Sequence, residues 1–549
     1  VQAQVTDVAG LAAVEFDGQP VELDAQGRFQ VNVQPSWGLN VHELTARDAV
    51  GNENSVFCAF FAADTYLGEN DALFDAVALH MTQAALDDGP PSNPISSLVD
   101  LLRRVLDSPA LVATIDEALR AQNPIVPNDC RASLPIIGCV ARLGAEYRGL
   151  RVGGPHALSA NMVNGGLQFV ARLNNLAVDF RTTGTISVSG TMNVDYVLVD
   201  LTFNVRLNNG RPEVTLRRTN RVEVGSLNLD LDGAIARLFD GAIDLIFGAF
   251  EGTVREQLVG ALRGFLESEL DALLSSVLDS LDLASLGLGF DVPTIDGSPP
   301  IGLALGVAFD QIDVTDQRMR IGISTRVNGD TRQPARSAGV PMVEPPARVA
   351  LAPRGNVAGA ISLGVINQVL HRLWRAGFFH FDDAGSLLGD LPEGTALGLR
   401  VIIPPAAEGI GGEHVRLHLG PAVGEVTYPG LFDEPLRLRL VATVTAGVQL
   451  VGDQLVFGQI TIESLHFVVE DVAMTADGRA TLERDLRRIV QALADQALNQ
   501  LLPAVPIPDF ALPDDLERYG VPRGTRLGLR NATLQGTHTH FILDGVFRQ

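Results

Sequence analysis

The chain has 549 residues, of which 46% are hydrophobic; this is enough apolar material for a large buried core and excludes general disorder. Its formal charge of -24 makes the surface repel nucleic acid and anionic membrane at long range. All 41 basic residues are arginine, which excludes a lysine phosphate loop, a Schiff-base lysine and a lysine-rich anion patch.

A chain of this length accommodates about three or four domains. No uncharged apolar run reaches the length of a membrane-spanning helix. The first residues read as a strand, not a signal peptide, which leads us to expect a mature or trimmed exported chain. Residues 1–62 alternate apolar and polar positions in VEFDG, GRFQVNV and LNVHELTARD. Turns are expected at Asp17–Gly18, Gln26–Gly27 and Trp37–Gly38, giving a small antiparallel β-sandwich. The segment GLNVHELTARDAVGNENS resembles the end of bacterial immunoglobulin-like modules, which implies an interaction or spacer role, with a cell-surface protein as its partner.

From Asp71 to about Gln122 the spacing reads as helical, with Leu73, Val77 and Met81 on one face, then Leu98, Leu101, Leu102, Val105 and Leu106, then Leu111 to Leu119. Three cysteines, Cys58, Cys130 and Cys139, are too few for a disulfide scaffold. The loop between Cys130 and Cys139 is short enough to close as one disulfide in an oxidising compartment; the alternative is three buried thiols. Residues 136–230 are rich in strands. Phe169 and Leu173 fall on the apolar side of one of them, in a meandering antiparallel sheet with one greasy face.

The stretch from about Asp232 to Leu281 then carries a continuous apolar stripe at helical spacing. It includes Ile235, Phe239, Ile243, Phe247, Leu258 and Leu262 and predicts a helix on the order of 70 Å long. Further strands follow to residue 327, and a proline-rich linker is expected over 328–348. The order of elements then recurs. VAGAISLGVINQVLHRLWRAGFFHFD reads as an amphipathic helix with Ile361, Val365, Leu370, Leu373 and Trp374, followed by Phe378. Strands over about 397–473, a helix containing Leu493 and Leu498, and a closing hairpin complete this second unit.

Here the chain resembles the tubular lipid-binding superfamily. Within it, the similarity is to the group of bactericidal/permeability-increasing protein, lipopolysaccharide-binding protein and the plasma lipid-transfer proteins. The segments carrying the resemblance are VINQVLHRLWRAGFF, LNQLLPAVPIPDFALP and LGLRNATLQGTHTHFILDGVF in the second half. In the first half they are GLQFVARLNNLAVDF and the sheet entering the long helix. The resemblance implies an α+β fold of two elongated barrels over 63–327 and 349–549. Each is a twisted antiparallel sheet wrapped on a long helix, and a central sheet joins the two. It also implies bound phospholipid or fatty acid between helix and sheet. The expected lining is Leu73, Val77, Met81, Phe169, Leu173, Ile235, Phe239, Ile243 and Phe247 in the first barrel. In the second it is Ile361, Val365, Leu370, Leu373, Trp374, Phe378, Leu493 and Leu498. The chain departs from the vertebrate members in two respects: no cysteine follows Cys139, and no basic tip is visible, which argues against endotoxin neutralisation.

Enzyme signatures are absent: no GxSxG, HExxH, GxGxxG or CxxC occurs. His538 and His540 fall on one face of an expected strand, as solvated side chains or as two metal ligands. Asn228, Asp230 and Asp232 are expected to cap the long helix, and Asp382 and Asp383 to sit in a solvated loop or cap. The function expected is therefore non-catalytic, exported lipid binding or transfer. The alternative is a structural protein of the cell envelope whose barrels are filled with side chains.

Overall fold

The computed structural model describes residues 1–549 apart from 9, 93, 135–136, 186, 232–250, 253–254, 257, 261, 265–288, 295–296, 334–335, 344–347, 384–393, 428–433, 452–453, 471–475, 502–504, 507–508 and 513. Strands dominate, and the fold is a sheet-rich α+β arrangement. An eight-stranded antiparallel sheet lies at its centre. Its order is Gly289–Val292, Ile301–Val314, Arg318–Gly329, Leu73–Thr82, Val357–Ser362, His540–Arg548, Arg526–Gly536 and Asp509–Ala511. Strands from both halves of the chain therefore interleave in one ladder.

Two expectations are corrected here. Leu73–Thr82 is a strand, with only Gln83–Leu86 (α1) helical after it, and Val357–Ser362 is a strand preceding its helix. Both are inner strands of the central sheet, and Val357–Ser362 is buried at all six positions. A strand covered on both faces shows a continuous apolar run in place of alternation. The four-residue spacing of Leu73, Val77 and Met81 also fits a strand face as well as a helix face.

Leu98–Leu106 (α2) and Pro109–Ala121 (α3) are helical as the spacing predicts. Ser97 and Ser108 cap them, their side chains accepting from Asp100 N and Leu111 N. They pack on a seven-stranded sheet in which Arg211–Val224, Ser189–Asn208, Gly166–Gly184, Gly138–Val152 and Val126–Leu134 follow one another. Ala157–Val163 also pairs with Gly166–Gly184, and Leu227–Leu231 also pairs with Ser189–Asn208. On Gly166–Gly184 the residues Leu167, Phe169, Ala171 and Leu173 are buried, and between them Gln168 and Val170 are half-buried and Arg172 is exposed. Asn228 and Asp230 are exposed on the strand Leu227–Leu231, paired with Asn193 and Thr191, so neither caps a helix; Asp232 lies outside the described residues.

Of the long stripe, the described residues between 251 and 264 are helical. Leu258 and Leu262 are buried there, while Arg255, Glu256 and Arg263 are exposed. The helix Leu363–Arg375 (α4) follows Val357–Ser362 directly, and Ala476–Leu501 (α5) packs on Gln454–Val469. That last strand belongs to a second seven-stranded sheet built from residues 380–506. Within the expected linker, Val340–Met342 is buried and pairs with Thr65–Leu67.

The N-terminal residues form a four-stranded and a two-stranded sheet. Phe16 of the first meets Phe29 of the second with ring centroids 6.1 Å apart. The Asp17–Gly18 turn has φ of 50° and 71°, as a two-residue hairpin turn of this sequence requires. Asp48 explains the ARDAVGN segment: its carboxylate accepts from Val50 N, Asn52 N and Asn52 Nδ2.

This head is docked on the body. Trp37 Nε1 donates to Met342 O at 2.8 Å, and Leu39 N donates to Nδ1 of the buried His418 at 3.2 Å. Gly38 makes the close approach possible. Its φ is 97°, and a Cβ there would lie 2.5 Å from His418 Nε2. Gly38→Ala is expected to cost about 1–3 kcal/mol through backbone strain alone. It should also loosen the head, read as a red shift of Trp37 fluorescence in a Trp374→Phe background, since the chain holds two tryptophans. An unshifted spectrum with unchanged stability would show that the contact does not hold the head.

Candidate functional site

The sheets and helices enclose one contiguous apolar cluster extending from Leu79 to Phe547. Among the expected lining residues, Met81, Phe169, Leu173, Ile361, Leu370, Leu373, Trp374 and Phe378 are buried in it, and Val77 packs against it half-buried. Phe169 meets Phe203 of the adjacent strand edge to face, 5.9 Å between centroids. Leu258 and Leu262 of the helical stretch are buried and belong to the same cluster. Leu73 and Val365 lie elsewhere, in a separate small cluster with Ala76, Val340 and Met342. Ile235, Phe239, Ile243 and Phe247 fall outside the described residues, as do the side chains of Leu493 and Leu498. On the same helix, Leu482, Leu486 and Ile489 are buried.

Helix α4 is unusual because its polar residues are buried along with its apolar ones. Asn367 donates to Pro341 O and Ala407 O and accepts from Ala407 N at 2.6 Å. Gln368 accepts from the Thr325 hydroxyl at 2.9 Å. Arg372 donates to Val327 O at 2.9 Å, Glu69 O at 2.7 Å and Asn70 Oδ1 at 2.6 Å. Burial pushes the Arg372 guanidinium below its usual range and drops the His371 imidazole to about 4. Gln368 and Arg372 fasten the helix to segments of the first unit, and Asn367 to Pro341 and Ala407, through hydrogen bonds that leave few buried groups unpaired.

Beside the N-terminus of α4 a cleft of about 150 Å³ opens between Leu73–Asp75, the residues Met342, Val343, Arg348 and Val349, and the turn before His540. Its polar lining includes Asp75, Ser362, Asn367, Thr539, His540 and the exposed Arg348. Two β-bulges shape it. The strand Leu73–Thr82 carries extra residues between the pairs Ile323–Val77 and Thr325–Leu73, and Asp75 there has φ of 53°. On the other side of Arg318–Gly329, Asp310 is the extra residue between Phe309 and Gln311. Bulges re-aim side chains, and these two bring Asp75 and Asp310 together over Gly322, where a Cβ would meet Oδ1 of both. Asp75 N donates to Asp310 Oδ2, and Arg320 donates to Asp75 Oδ2 and to Val349 O.

Asp75 Oδ1 is buried without a hydrogen-bond partner among the described residues. Burial pushes the Asp75 carboxyl up, against the pull of Arg320 and with the neighbouring Asp310 charge adding to the rise. His540 is 8% exposed, and burial lowers its imidazole to about 4. Its Nδ1 is bonded to Thr539 Oγ1 at 2.8 Å, and its Nε2 has no partner among the described residues. Ser362 stands opposite His540 in the ladder, but its hydroxyl accepts from Gly364 N, and no hydrogen bond joins Ser362, His540 and Asp75.

The expected face shared by His538 and His540 is corrected. His538 lies in the turn with Nδ1 on Gly409 O at 2.7 Å, while His540 begins the next strand. Among the described residues, no group of three or more His, Cys, Asp or Glu side chains could hold a metal ion. Asp383 accepts from Leu397 N in its loop. Cys130 and Cys139 form a disulfide across the hairpin Val126–Leu134/Gly138–Val152, and Cys58 is free and exposed, so the alternative of three buried thiols does not hold. The cleft was missed in the sequence. Its signal was a charged residue inside an apolar strand, in LFDAVALHM and again in RMRIGIS.

No protein-family profile matches the chain, and no curated protein sequence matches it. Among solved structures it is similar to a crystal structure of lipopolysaccharide binding protein, at 15% identity over 86% of this chain and 99% of the other, with a TM-score of 0.39. It is also similar to the crystal structure of P47 of Clostridium botulinum E1, at 10% identity over 87% of this chain and 100% of the other, with a TM-score of 0.24. Neither superposition reaches the level at which two folds coincide.

Proposed function

We propose that this chain is a non-catalytic, exported lipid-binding protein. It holds acyl chains between its long helical stretches and the curved sheets that wrap them in two barrels, with the N-terminal head as an interaction module. The observation that carries the reading is that Leu258 and Leu262, on a helical stretch whose other face is exposed, are buried in the same apolar cluster as Phe169, Ala171 and Leu173 of a strand. An amphipathic helix laid along an apolar sheet face satisfies its stripe equally with side chains or with hydrocarbon, at about 25 cal/mol per Å² buried. The exposed Cys130–Cys139 disulfide suits an oxidising compartment.

Extraction of the purified protein into organic solvent should release phospholipid or fatty acid detectable by mass spectrometry. Ala171→Phe adds a ring on the inward face, where Ala171 is fully buried. It should lower uptake of a fluorescent fatty acid severalfold while changing stability by less than about 1 kcal/mol, because the ring displaces lipid. A core packed solid with side chains would instead show the overpacking cost of about 1–3 kcal/mol. That cost, with no lipid recovered, would return the interior to a structural role.

A further inference from the structure

The cleft at the start of α4 contains groups that the apolar interior does not need. Asp75 lines it and takes the Arg320 guanidinium on Oδ2, while a second carboxylate, Asp310, packs beside Asp75 and accepts from its backbone N, so that two carboxylates share one guanidinium in a half-buried place. Asp75 Oδ1 is buried without a hydrogen-bond partner among the described residues, although buried polar atoms are nearly always paired. His540, which also lines the cleft, bonds through Nδ1 and leaves Nε2 available. At the mouth, Arg348 supplies an exposed positive charge with no ion pair among the described residues, next to Phe74, which is 65% exposed. Leu73, Met342 and Leu363 supply the apolar wall. A volume of about 150 Å³ equals roughly five waters at their share of liquid volume, which is the size of a small charged group and far short of an acyl chain.

We propose that this cleft is a subsite for a zwitterionic head, a primary ammonium a few bonds from a phosphate or carboxylate. The ammonium is set against Asp75 and His540, and the anion against Arg348 at the mouth. The assignment of this head to a lipid rests on the lipid-binding reading above. The ammonium supplies the donors that Asp75 Oδ1 and a neutral His540 Nε2 can accept, and it offsets the excess carboxylate charge. The anionic end finds the guanidinium together with the N-terminal end of α4. The exposed Phe74 is placed to meet the first carbons beyond the head.

The test uses the full chain with vesicles of phosphatidylethanolamine or phosphatidylglycerol, soluble O-phosphoethanolamine, and a fluorescent fatty acid that has no ammonium. Wild type should extract phosphatidylethanolamine at least tenfold better than phosphatidylglycerol. Asp75→Asn, which keeps a residue tolerant of positive φ, and the surface change Arg348→Ala should each reduce that preference at least fivefold while leaving fatty-acid uptake unchanged. Uptake of fatty acid with equal extraction of both phospholipids, or a preference that both variants retain, overturns the subsite and leaves the lipid-binding reading intact. Thermal protection by O-phosphoethanolamine with no lipid taken up supports a site for a free zwitterion and removes the lipid-binding reading. No response to any of the probes overturns both.

Discussion

Arg372→Met should destabilise the protein by about 3–5 kcal/mol, read as a lowered urea midpoint at unchanged slope. The side chain is 6% exposed and gives hydrogen bonds to Val327 O, Glu69 O and Asn70 Oδ1. Methionine restores most of the volume but none of the donors. Val327 O would then be buried without this partner, at about 1–3 kcal/mol, and the part-buried Glu69 O and Asn70 Oδ1 would each lose a charge-assisted hydrogen bond that water replaces only in part. The neighbouring pair Arg375–Glu69, 3.0 Å apart and largely shielded, cannot substitute, since Arg375 already serves Glu69 and Gln333 O. Arg372→Lys should recover less than half of the loss, because an ammonium cannot reach three divergent acceptors as a planar guanidinium does. A cost under about 1 kcal/mol for the methionine variant would mean that the helix is held by its apolar face alone.

Acid should weaken the fold well before its carboxylates titrate. Burial places the imidazoles of His371 and His540 at about 4 in the folded state, against roughly 6.5 when unfolded. Between those values the unfolded chain binds more protons, so stability falls as pH falls through this window. By pH 5 each histidine contributes a loss on the order of 2 kcal/mol. His80 and His156 are lowered by burial too and act in the same direction. Asp75 acts in the opposite direction: its raised carboxyl takes up a proton earlier in the folded state and so adds stability on acidification. Carboxylates held low by hydrogen bonds, such as Asp100 and Asp116, lose their contribution only as pH falls below the ordinary carboxylate range. Urea midpoints at pH 7 and pH 5 should therefore differ for wild type, and by clearly less for His540→Gln. Parallel pH profiles for the two proteins would show that His540 is not buried neutral.

The strands of the first sheet were legible in the sequence because their outer faces remain polar, so Phe169 and Leu173 alternate visibly with Gln168 and Arg172. The inner strands Leu73–Thr82 and Val357–Ser362 were not, because neighbours cover both faces and erase the period that separates strand from helix. The stripe at Leu258 and Leu262 was correctly placed on a helix, since its opposite face keeps Arg255, Glu256 and Arg263 in solvent. The cleft could not be read at all. Asp75, Arg320 and His540 are far apart in the chain and are brought together by bulges, whose positions depend on how three strands pair. Helix α4 was read as amphipathic, yet its polar side is buried as well, because groups from other segments meet the side chains of Asn367, Gln368 and Arg372.

The interleaved ladder of the central sheet also bears on how the chain reaches its native state. Leu73–Thr82 emerges early in synthesis, but its two neighbours, Arg318–Gly329 and Val357–Ser362, are more than two hundred residues away, and His540–Arg548 must arrive to cover the second of these. Until then a greasy strand has open edges on both sides, the condition that invites wrong partners. Assembly of this ladder is therefore a late, slow event dominated by distant pairings. A polypeptide cut between the two halves should yield fragments that aggregate when made separately and regain solubility only when produced together.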